Sequence, residues 1–334
     1  MPSQIREVSA EGLGELTARA CEQLEPAIVR GLAAGLPVVN AAREGDGSLL
    51  RYLADLARPV GLSALHASPQ VEGKFGYTRD LSGFNFTRHE TTFQDFVTGL
   101  LEGSFADGAI AVQGVQADRA VPGFAQANAI PLLPEGGEFR LWLGTRAEVA
   151  IHCDPAPNVA YVAGGRRRFT LFAPEEIGNL YMGPFDPVPN GTQISLADPL
   201  APDLDRFPRF AQALEHSLSA ELEPGDAIFI PTGWYHHVQA LGALNLLVNY
   251  WWRGPGDGPS PWDALMHGFM AIRTLPPAER RVWRAMFAHY IFEDSGDPGA
   301  HIPASFRGIL AQATPQMLAS MRQSILRSLA SPRS

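Results

Sequence analysis

The sequence predicts a mainly β domain with flanking helices, built as a sandwich or jelly roll and followed by a helical segment. Between Glu138 and Trp252, short apolar runs follow one another without long helical patterns. The 33 glycines and 28 prolines among 334 residues provide the turns between these runs. The predicted strands cover residues 139–143, 148–152, 158–163, 168–172, 227–230, 237–240 and 244–252.

The region before this core mixes helices and strands. A first helix begins after Ser9 and ends at Pro26, and its apolar face contains Leu13, Leu16, Ala20 and Leu24. Residues 27–32 and 36–39 resemble a strand and its flank, and Thr91 caps a later helix.

Residues 73–77 and 82–86 are aromatic and glycine-rich. They predict either strands that line a cavity or a plain hairpin with a half-buried aromatic face. Residues 174–221 form a proline-rich insert with a short helix near residues 208–216.

After Trp252 the pattern becomes helical. We expect a linker at residues 254–259 and helices at 261–273, 277–292, 303–311 and 315–329, the last capped by Thr314. That helix has a stripe of Met317, Met321, Ile325 and Leu329, which packs on the parent domain or forms a dimer seam. The predicted domains are residues 1–260, with a core at 138–252, and a helical segment at 261–334.

Composition excludes several classes of function. The net charge of −9 disfavours a broad nucleic-acid interface, although Arg280, Arg281 and Arg284 form a small basic helix face. Two cysteines are too few for a disulfide framework or a zinc cluster. The N-terminus lacks the pattern of a signal peptide, and no apolar run approaches the ~20 residues of a membrane span. We therefore expect a cytoplasmic protein without a membrane partner.

A short stretch in the predicted core carries the first sign of chemistry. His152 and Asp154 are two residues apart, so a β-strand would place both side chains on one face. An imidazole and a carboxylate are two of the three ligands of a 2-His-1-carboxylate iron site. A second histidine could come from His236, which follows an apolar strand and the aromatic pair Trp234 and Tyr235. A packed core histidine is the other interpretation of His236 taken alone.

Taken together, these segments resemble the cupin-like branch of the JmjC family of iron- and 2-oxoglutarate-dependent oxygenases, closest to its protein-hydroxylating members. The resemblance covers approximately residues 139–252, and its elements are the His152-Cys153-Asp154 triplet, Asn158 and the segments 165–174, 234–238 and 248–251. It implies a double-stranded β-helix, the jelly roll of cupins.

The resemblance also implies roles for individual residues. His152, Asp154 and His236 match the iron ligands, and His237 should point to the opposite face of its strand. Asn158 and Asn249 match asparagines that line the cofactor pocket.

Two positions depart from the family pattern. Arg167 stands where the family commonly has a lysine that holds the far carboxylate of 2-oxoglutarate, while Arg166 and Arg168 should be solvated. Arginine can bind a carboxylate bidentately, but its longer side chain needs a differently shaped pocket. Val149 replaces a hydroxyl residue that contacts the cosubstrate in relatives. The candidates for supplying that hydrogen bond are Tyr77, Asn85 and Trp142.

The function implied by this resemblance is a dioxygenase that uses Fe(II), 2-oxoglutarate and O2 to hydroxylate a C–H bond, with a peptide or protein side chain as the favoured substrate. A small-molecule or RNA-base hydroxylase is a second interpretation, and N-methyl demethylation would use the same iron chemistry. A non-catalytic cupin that binds a metal is an alternative of a different class. The helical tail resembles those through which such enzymes form homodimers.

Overall fold

The computed structural model describes residues 2–18, 25–105, 107–189, 191–252 and 260–330. By its internal contacts the chain divides into two units, Met1–Gly254 and Pro255–Ser334. The predicted linker at residues 254–259 and the end of the first predicted helix, with Ala20 and Leu24, lie outside the described residues.

The first unit contains two β-sheets. Its strands are β1 (Ser3–Gln4), β2 (Ala27–Val29), β3 (Gly61–Ala67), β4 (Lys74–Phe75), β5 (Thr87–Thr92), β6 (Ala109–Gln116), β7 (Glu138–Thr145), β8 (Glu148–Cys153), β9 (Asn158–Gly164), β10 (Arg167–Phe172), β11 (Leu218–Leu222), β12 (Ala227–Ile230), β13 (Tyr235–Ala240) and β14 (Leu244–Trp251).

The sheet order is that of a jelly roll. Within the described residues one sheet runs β1-β11-β10-β13-β8-β4, and the other runs β2-β12-β9-β14-β7-β6-β3-β5. The core strands β7 to β14 are therefore divided between the two sheets, and the neighbouring core strands pair antiparallel. This confirms the predicted mainly β fold with a cupin-type double-stranded β-helix.

Most helices of the first unit cover the outer face of the larger sheet, and the last of those described packs on the smaller sheet. The helices of the first unit are α1 (Ala10–Ala18), α2 (Pro37–Arg43), α3 (Asp46–Leu56), α4 (Phe93–Glu102), α5 (Ala117–Ala120), α6 (Phe124–Ala127) and α7 (Phe210–His216). Leu49 and Leu53 of α3 and Phe96 of α4 are fully buried in one apolar cluster with Tyr161 of β9. A second cluster, which includes Val162, Phe169 and Leu247, fills the space between the two sheets.

Several local predictions were wrong. Residues 36–39 begin helix α2 rather than flanking a strand, because Pro37 occupies its first turn, where a missing N–H costs nothing. The cap of α4 is Thr92, whose hydroxyl accepts a hydrogen bond from Asp95 N, and not Thr91. The predicted hairpin reduces to β4 and an isolated bridge between Tyr77 and Phe84. Strand β11 begins inside the segment interpreted as an insert and ends one residue beyond it.

The second unit is helical. It contains α8 (Pro261–Ala271), α9 (Pro277–Tyr290) and α10 (Pro315–Ala330). The predicted helix at residues 303–311 is instead two short 3-10 turns, Ala304–Phe306 and Gly308–Leu310. Thr314 caps α10 as predicted, since its hydroxyl accepts a hydrogen bond from Met317 N at 3.2 Å. No helix in the described part of the chain is both long and apolar enough to cross a membrane.

Candidate metal centre

Two neighbouring strands bring the two predicted histidine ligands together. His152 on β8 lies directly opposite His236 on β13, and Val149 lies opposite Val238. Between these pairs β8 has two residues, Ala150 and Ile151, where β13 has only His237. This β-bulge keeps His152 and His236 on the interior face although the strand alternation is interrupted.

The three predicted ligands converge. Asp154 follows the end of β8, and its carboxylate oxygens lie 4.0 Å from His152 Nε2 and 3.7 Å from His236 Nε2. One ligand atom from each residue can be chosen so that all three lie within 4.8 Å of one another. Such a set, with two imidazoles and one carboxylate, is the facial triad of non-haem Fe(II) sites.

The backbone fixes the orientation and tautomer of both rings. His152 Nδ1 lies 2.8 Å from Ala150 O, and His236 Nδ1 lies 3.1 Å from Trp234 O. A carbonyl oxygen only accepts, so each Nδ1 must carry the hydrogen. Each Nε2 is then left with its lone pair facing the shared centre, which is the arrangement that a metal ligand requires.

Burial raises the free energy of a charged group at this centre unless a cation is bound. Burial raises the pKa of Asp154, although the neighbouring His152 partly offsets this. Burial, together with the neighbouring His152, holds the pKa of His236 well below its usual value. Neutral imidazoles beside a buried carboxylate fit a divalent metal ion, which would stabilise the ionised carboxylate without protonating the histidines.

A pair of asparagines supports the carboxylate. Asn158, the first residue of β9, donates from Nδ2 to Asp154 Oδ2 at 3.1 Å. Asn249 on β14 donates from Nδ2 to Asn158 Oδ1 at 3.3 Å. Both asparagines are buried, and Asn249 Oδ1 has no hydrogen-bond partner among the described residues. Asn249 lines the inner cavity at the triad, whereas Asn158 contacts Asp154 and does not line that cavity. The role of both residues in binding a cosubstrate stays a prediction.

Arg167 is a buried cation at the same centre. Only 6% of the residue is exposed, and its guanidinium donates from Nη2 to Trp142 O at 3.3 Å. Its Nε has no partner, and no carboxylate within the described ranges forms an ion pair with it. Burial lowers its pKa to about 10, so the side chain is still charged at neutral pH. In contrast, Arg166 and Arg168 both pair with Glu221 at the surface, as the alternation of β10 predicted.

Two adjoining cavities reach the triad. The inner cavity has a volume of about 20 Å3 and is lined by the triad together with Trp142, Arg167 and Asn249. An outer cavity of about 250 Å3 shares Trp142, Val149, His152 and Asp154 with it. The inner cavity holds little more than one water molecule. Entry of a carboxylate group therefore requires Arg167 or a neighbouring side chain to move.

Comparison with known proteins agrees with this geometry. The family model described as "Cupin-like domain" matches residues 14–258 of the chain. The chain belongs to the cupin-like family. This confirms the resemblance to cupin-like JmjC proteins that the triad and its flanking motifs predicted.

Curated relatives of this cupin-like protein match over part of its length. HSPB1-associated protein 1 of Rattus norvegicus is 34% identical over 35% of the chain and 24% of its own length. Lysine-specific demethylase JMJ31 of Arabidopsis thaliana is 30% identical over 41% of the chain and 23% of its own. Lysine-specific demethylase 8 of Danio rerio is 30% identical over 48% of the chain and 40% of its own. The chain thus spans well under half of these relatives.

Two predicted site residues of this cupin-like chain lie elsewhere. Tyr77 and Asn85 line a separate cavity of about 290 Å3 and not the cavities that the triad lines. The Tyr77 hydroxyl donates to Pro187 O, and the Asn85 amide contacts Gly76 N and Lys74 O. Trp142, the third candidate, does lie beside Arg167. Its buried indole Nε1 has no acceptor among the described residues.

The separate cavity also receives His237. Its Nε2 lies 3.6 Å from Glu148 Oε2, and Asp198 lies in the same cluster. Lys74 Nζ contacts Asp198 Oδ2 at 2.6 Å, so a lysine already supplies the positive charge there. The neighbouring histidines therefore have different surroundings, and His236 is the one that belongs to the triad.

Trp251 was not predicted as a site residue. It lies two positions after Asn249 on β14, so strand alternation places it on the same interior face. It lines the outer cavity beside His152 and Asp154. The spacing of two residues between Asn249 and Trp251 is the sequence pattern that could have predicted this position.

Proposed function

We propose that this cupin-like protein is an Fe(II)- and 2-oxoglutarate-dependent dioxygenase that hydroxylates a C–H bond. The observation that carries the proposal is Arg167, a buried and unpaired cation that lines the same inner cavity as the buried triad. A metal ion alone would need no second cation beside it. A metal ion together with an anionic cosubstrate accounts for both features.

Each residue has a defined part in this proposal. His152, Asp154 and His236 would hold Fe(II) through two Nε2 atoms and a carboxylate oxygen. Asn158 orients Asp154, and Asn249 orients Asn158. Arg167 would bind the far carboxylate of 2-oxoglutarate, with Trp142 Nε1 as a further donor. When bound, Fe(II), 2-oxoglutarate and O2 together supply the oxidising chemistry, and the buried walls exclude water from it.

The favoured substrate is a peptide or protein side chain. The names of the relatives support this, since two are called lysine-specific demethylases and one is associated with HSPB1. We also propose that a second copy of the chain binds to α10, where Met321, Ile325, Leu326 and Leu329 are exposed. The cytoplasmic location expected from the sequence stays a prediction.

Succinate formation tests the proposed activity. The full chain is incubated with Fe(II), ascorbate and 2-oxoglutarate, and succinate released without substrate is measured. We expect Asp154→Ala and His152→Ala to abolish this release. The matched control is His237→Asn, which changes the adjacent histidine outside the triad and should retain release. No release from the wild-type chain would favour the non-catalytic cupin, and release by Asp154→Ala would exclude the triad.

A further inference from the structure

The outer cavity, which lies against the triad, is lined mainly by aromatic and aliphatic side chains. These include Phe75, Phe86, Trp142, Trp251, Leu65 and Ile194. Its volume of about 250 Å3 is enough for a side chain or a small aromatic molecule. If the proposed function is right, the group to be oxidised enters here, because His152 and Asp154 form part of the wall.

The charges around this cavity disfavour a cationic group. Asp154 is the only carboxylate among the described lining residues, and it is already engaged with Asn158 and the triad histidines. A cation that leaves water needs an anionic partner or an aromatic face that is free to receive it.

The protein's own guanidinium groups already stack on two of the aromatic rings. Arg88 Cζ lies 5.4 Å from the centre of the Phe86 ring, and Arg140 Cζ lies 5.4 Å from that of Trp251. A ligand cation would share these rings with two positive charges. Two of the four aromatic rings are therefore less favourable to an ammonium group, and no carboxylate among the described lining residues is free to pair with it.

One residue that lines the cavity carries an unpaired hydrogen-bond donor. The indole Nε1 of Trp251 has almost no accessible surface and has no acceptor among the described residues. Buried polar groups are nearly always paired, so this N–H indicates an acceptor on the ligand, which it would reach after a small rotation of the indole ring. The indole of Trp142 is also unpaired, but it lies at the wall shared with the inner cavity and is accounted for by the cosubstrate.

We propose that the group entering the outer cavity is uncharged, has an apolar body and accepts a hydrogen bond from Trp251 Nε1. This inference rests on the proposed function, because the group that binds here is the substrate only if the protein is a dioxygenase. It selects a neutral side chain or neutral small molecule with an oxygen acceptor. It excludes an N-methylated ammonium group, which would be positively charged and would have no acceptor. In this respect the chain differs from what the names of two of its relatives indicate for their substrates.

Three aromatic compounds of similar size can test this without any turnover. Benzamide has an acceptor and no charge, toluene has neither, and phenyltrimethylammonium has a charge and no acceptor. Their dissociation constants are measured by ligand-observed NMR on the full, metal-free chain. We expect benzamide to bind about fivefold tighter than toluene, the worth of one net hydrogen bond. We expect phenyltrimethylammonium to bind at least about tenfold more weakly than benzamide.

Trp251→Phe keeps an aromatic ring and removes only the N–H group. It should bring benzamide to the affinity of toluene while leaving toluene unchanged. The matched control is Trp283→Phe in α9, which should alter neither. Equal binding of the cation and benzamide in the wild-type chain would overturn the proposal, as would a benzamide preference that survives Trp251→Phe or binding of none of the three. Because iron is absent, these outcomes are independent of whether succinate is formed.

Discussion

Arg167 is an unusual residue because its charge is buried without an acid. An uncompensated charge in a protein interior costs several kcal/mol unless it is hydrogen-bonded, and Arg167 makes one bond, to Trp142 O. A lowered pKa of about 10 does not remove the charge at neutral pH. The residue therefore lowers the stability of the ligand-free protein and is best explained by a ligand that carries a negative charge.

Replacement of Arg167 by methionine should separate stability from ligand binding. We expect Arg167→Met to make the metal-free chain about 1–2 kcal/mol more stable, because the desolvation cost disappears. In the Mn(II)-loaded wild type, 2-oxoglutarate at 100 times its Kd should add about 2.7 kcal/mol, and the variant should lose this gain. Thermal unfolding with and without 2-oxoglutarate measures both. Arg168→Met, at the neighbouring surface position, should keep the gain; a loss there too would contradict the assignment.

Asn158 contacts Asp154 and lines neither the inner nor the outer cavity, so we expect it to act through Asp154 rather than on a ligand directly. Its amide holds one carboxylate oxygen at 3.1 Å and is itself held by Asn249. We expect Asn158→Ala to weaken metal binding by about 10–100-fold, as loss of a group that orients a ligand typically does. Competition with a chelator measures this affinity. Asn245→Ala removes another buried β14 asparagine, whose side chain bonds Gly242 in the part of the chain that the structure describes, and should cost stability but not metal affinity. Equal metal affinity in Asn158→Ala and wild type would contradict this role.

Spacing alone predicted that His152 and Asp154 share a face, whereas the roles of the other site residues came from the resemblance to the JmjC family. His152, Asp154 and Asn158 are close in sequence, and His236 and Asn249 lie on strands with clear patterns. Tyr77 and Asn85 could not be placed, because their loop is positioned by contacts with remote residues such as Pro187. Trp251 could have been found from the alternation of β14.

Among the elements, the turn between β9 and β10 presents Arg167 to the site. Gly165 has a φ of 72°, in the left-handed region, where a side chain is strained. An added Cβ would lie 2.6 Å from Leu244 O and would also clash with Asn245 Oδ1. This turn therefore requires glycine, and it sets the register in which Arg167 faces inward while Arg166 and Arg168 face solvent.

The Gly165→Ala variant should reveal this constraint. We expect it to lower the free energy of unfolding by about 2–4 kcal/mol, from the backbone strain and the close contacts together. Urea unfolding measures the loss, and the 2-oxoglutarate requirement should rise with it because Arg167 shifts. The matched control is Gly61→Ala in β3, where a Cβ would have no atom within 4 Å and the cost should be small. A cost no larger than that of Gly61→Ala would refute the requirement.

The elements themselves were predictable to different degrees for physical reasons. The core strands other than β11 have clear apolar runs bounded by turns, so their predicted ranges nearly match the observed ones. The bulge at Ala150 and Ile151 leaves no mark in hydropathy, because it depends on the pairing of β8 with β13. Residues 36–39 form an apolar run too short to distinguish a strand from a helix. Pro37 favours the helix, because it occupies the first turn.

For the whole molecule, the apolar surface of the second unit's helices is the feature that indicates an interaction with a partner. Large apolar side chains are exposed along them, including Met270 (60%) and Leu326 (59%). Where exposed apolar side chains form a contiguous patch, the patch marks an interaction site or an aggregation risk. A homodimer covers such a surface with one type of contact, because a twofold axis pairs a patch with itself.

Light scattering on the full chain can test the proposed homodimer through α10. We expect the wild type to show twice the mass of one chain. The double variant Ile325→Glu/Leu329→Glu should show the mass of one chain, because carboxylates facing an apolar surface lose hydration without gaining a partner. Both side chains are about half exposed in the single chain, so the substitutions should leave its fold intact. Gln323→Glu adds charge to the same helix at a polar position and should leave the mass unchanged. If the double variant keeps the wild-type mass, α10 is not the interface. If the wild type is itself a monomer, the proposed homodimer is wrong and the apolar face binds a different partner.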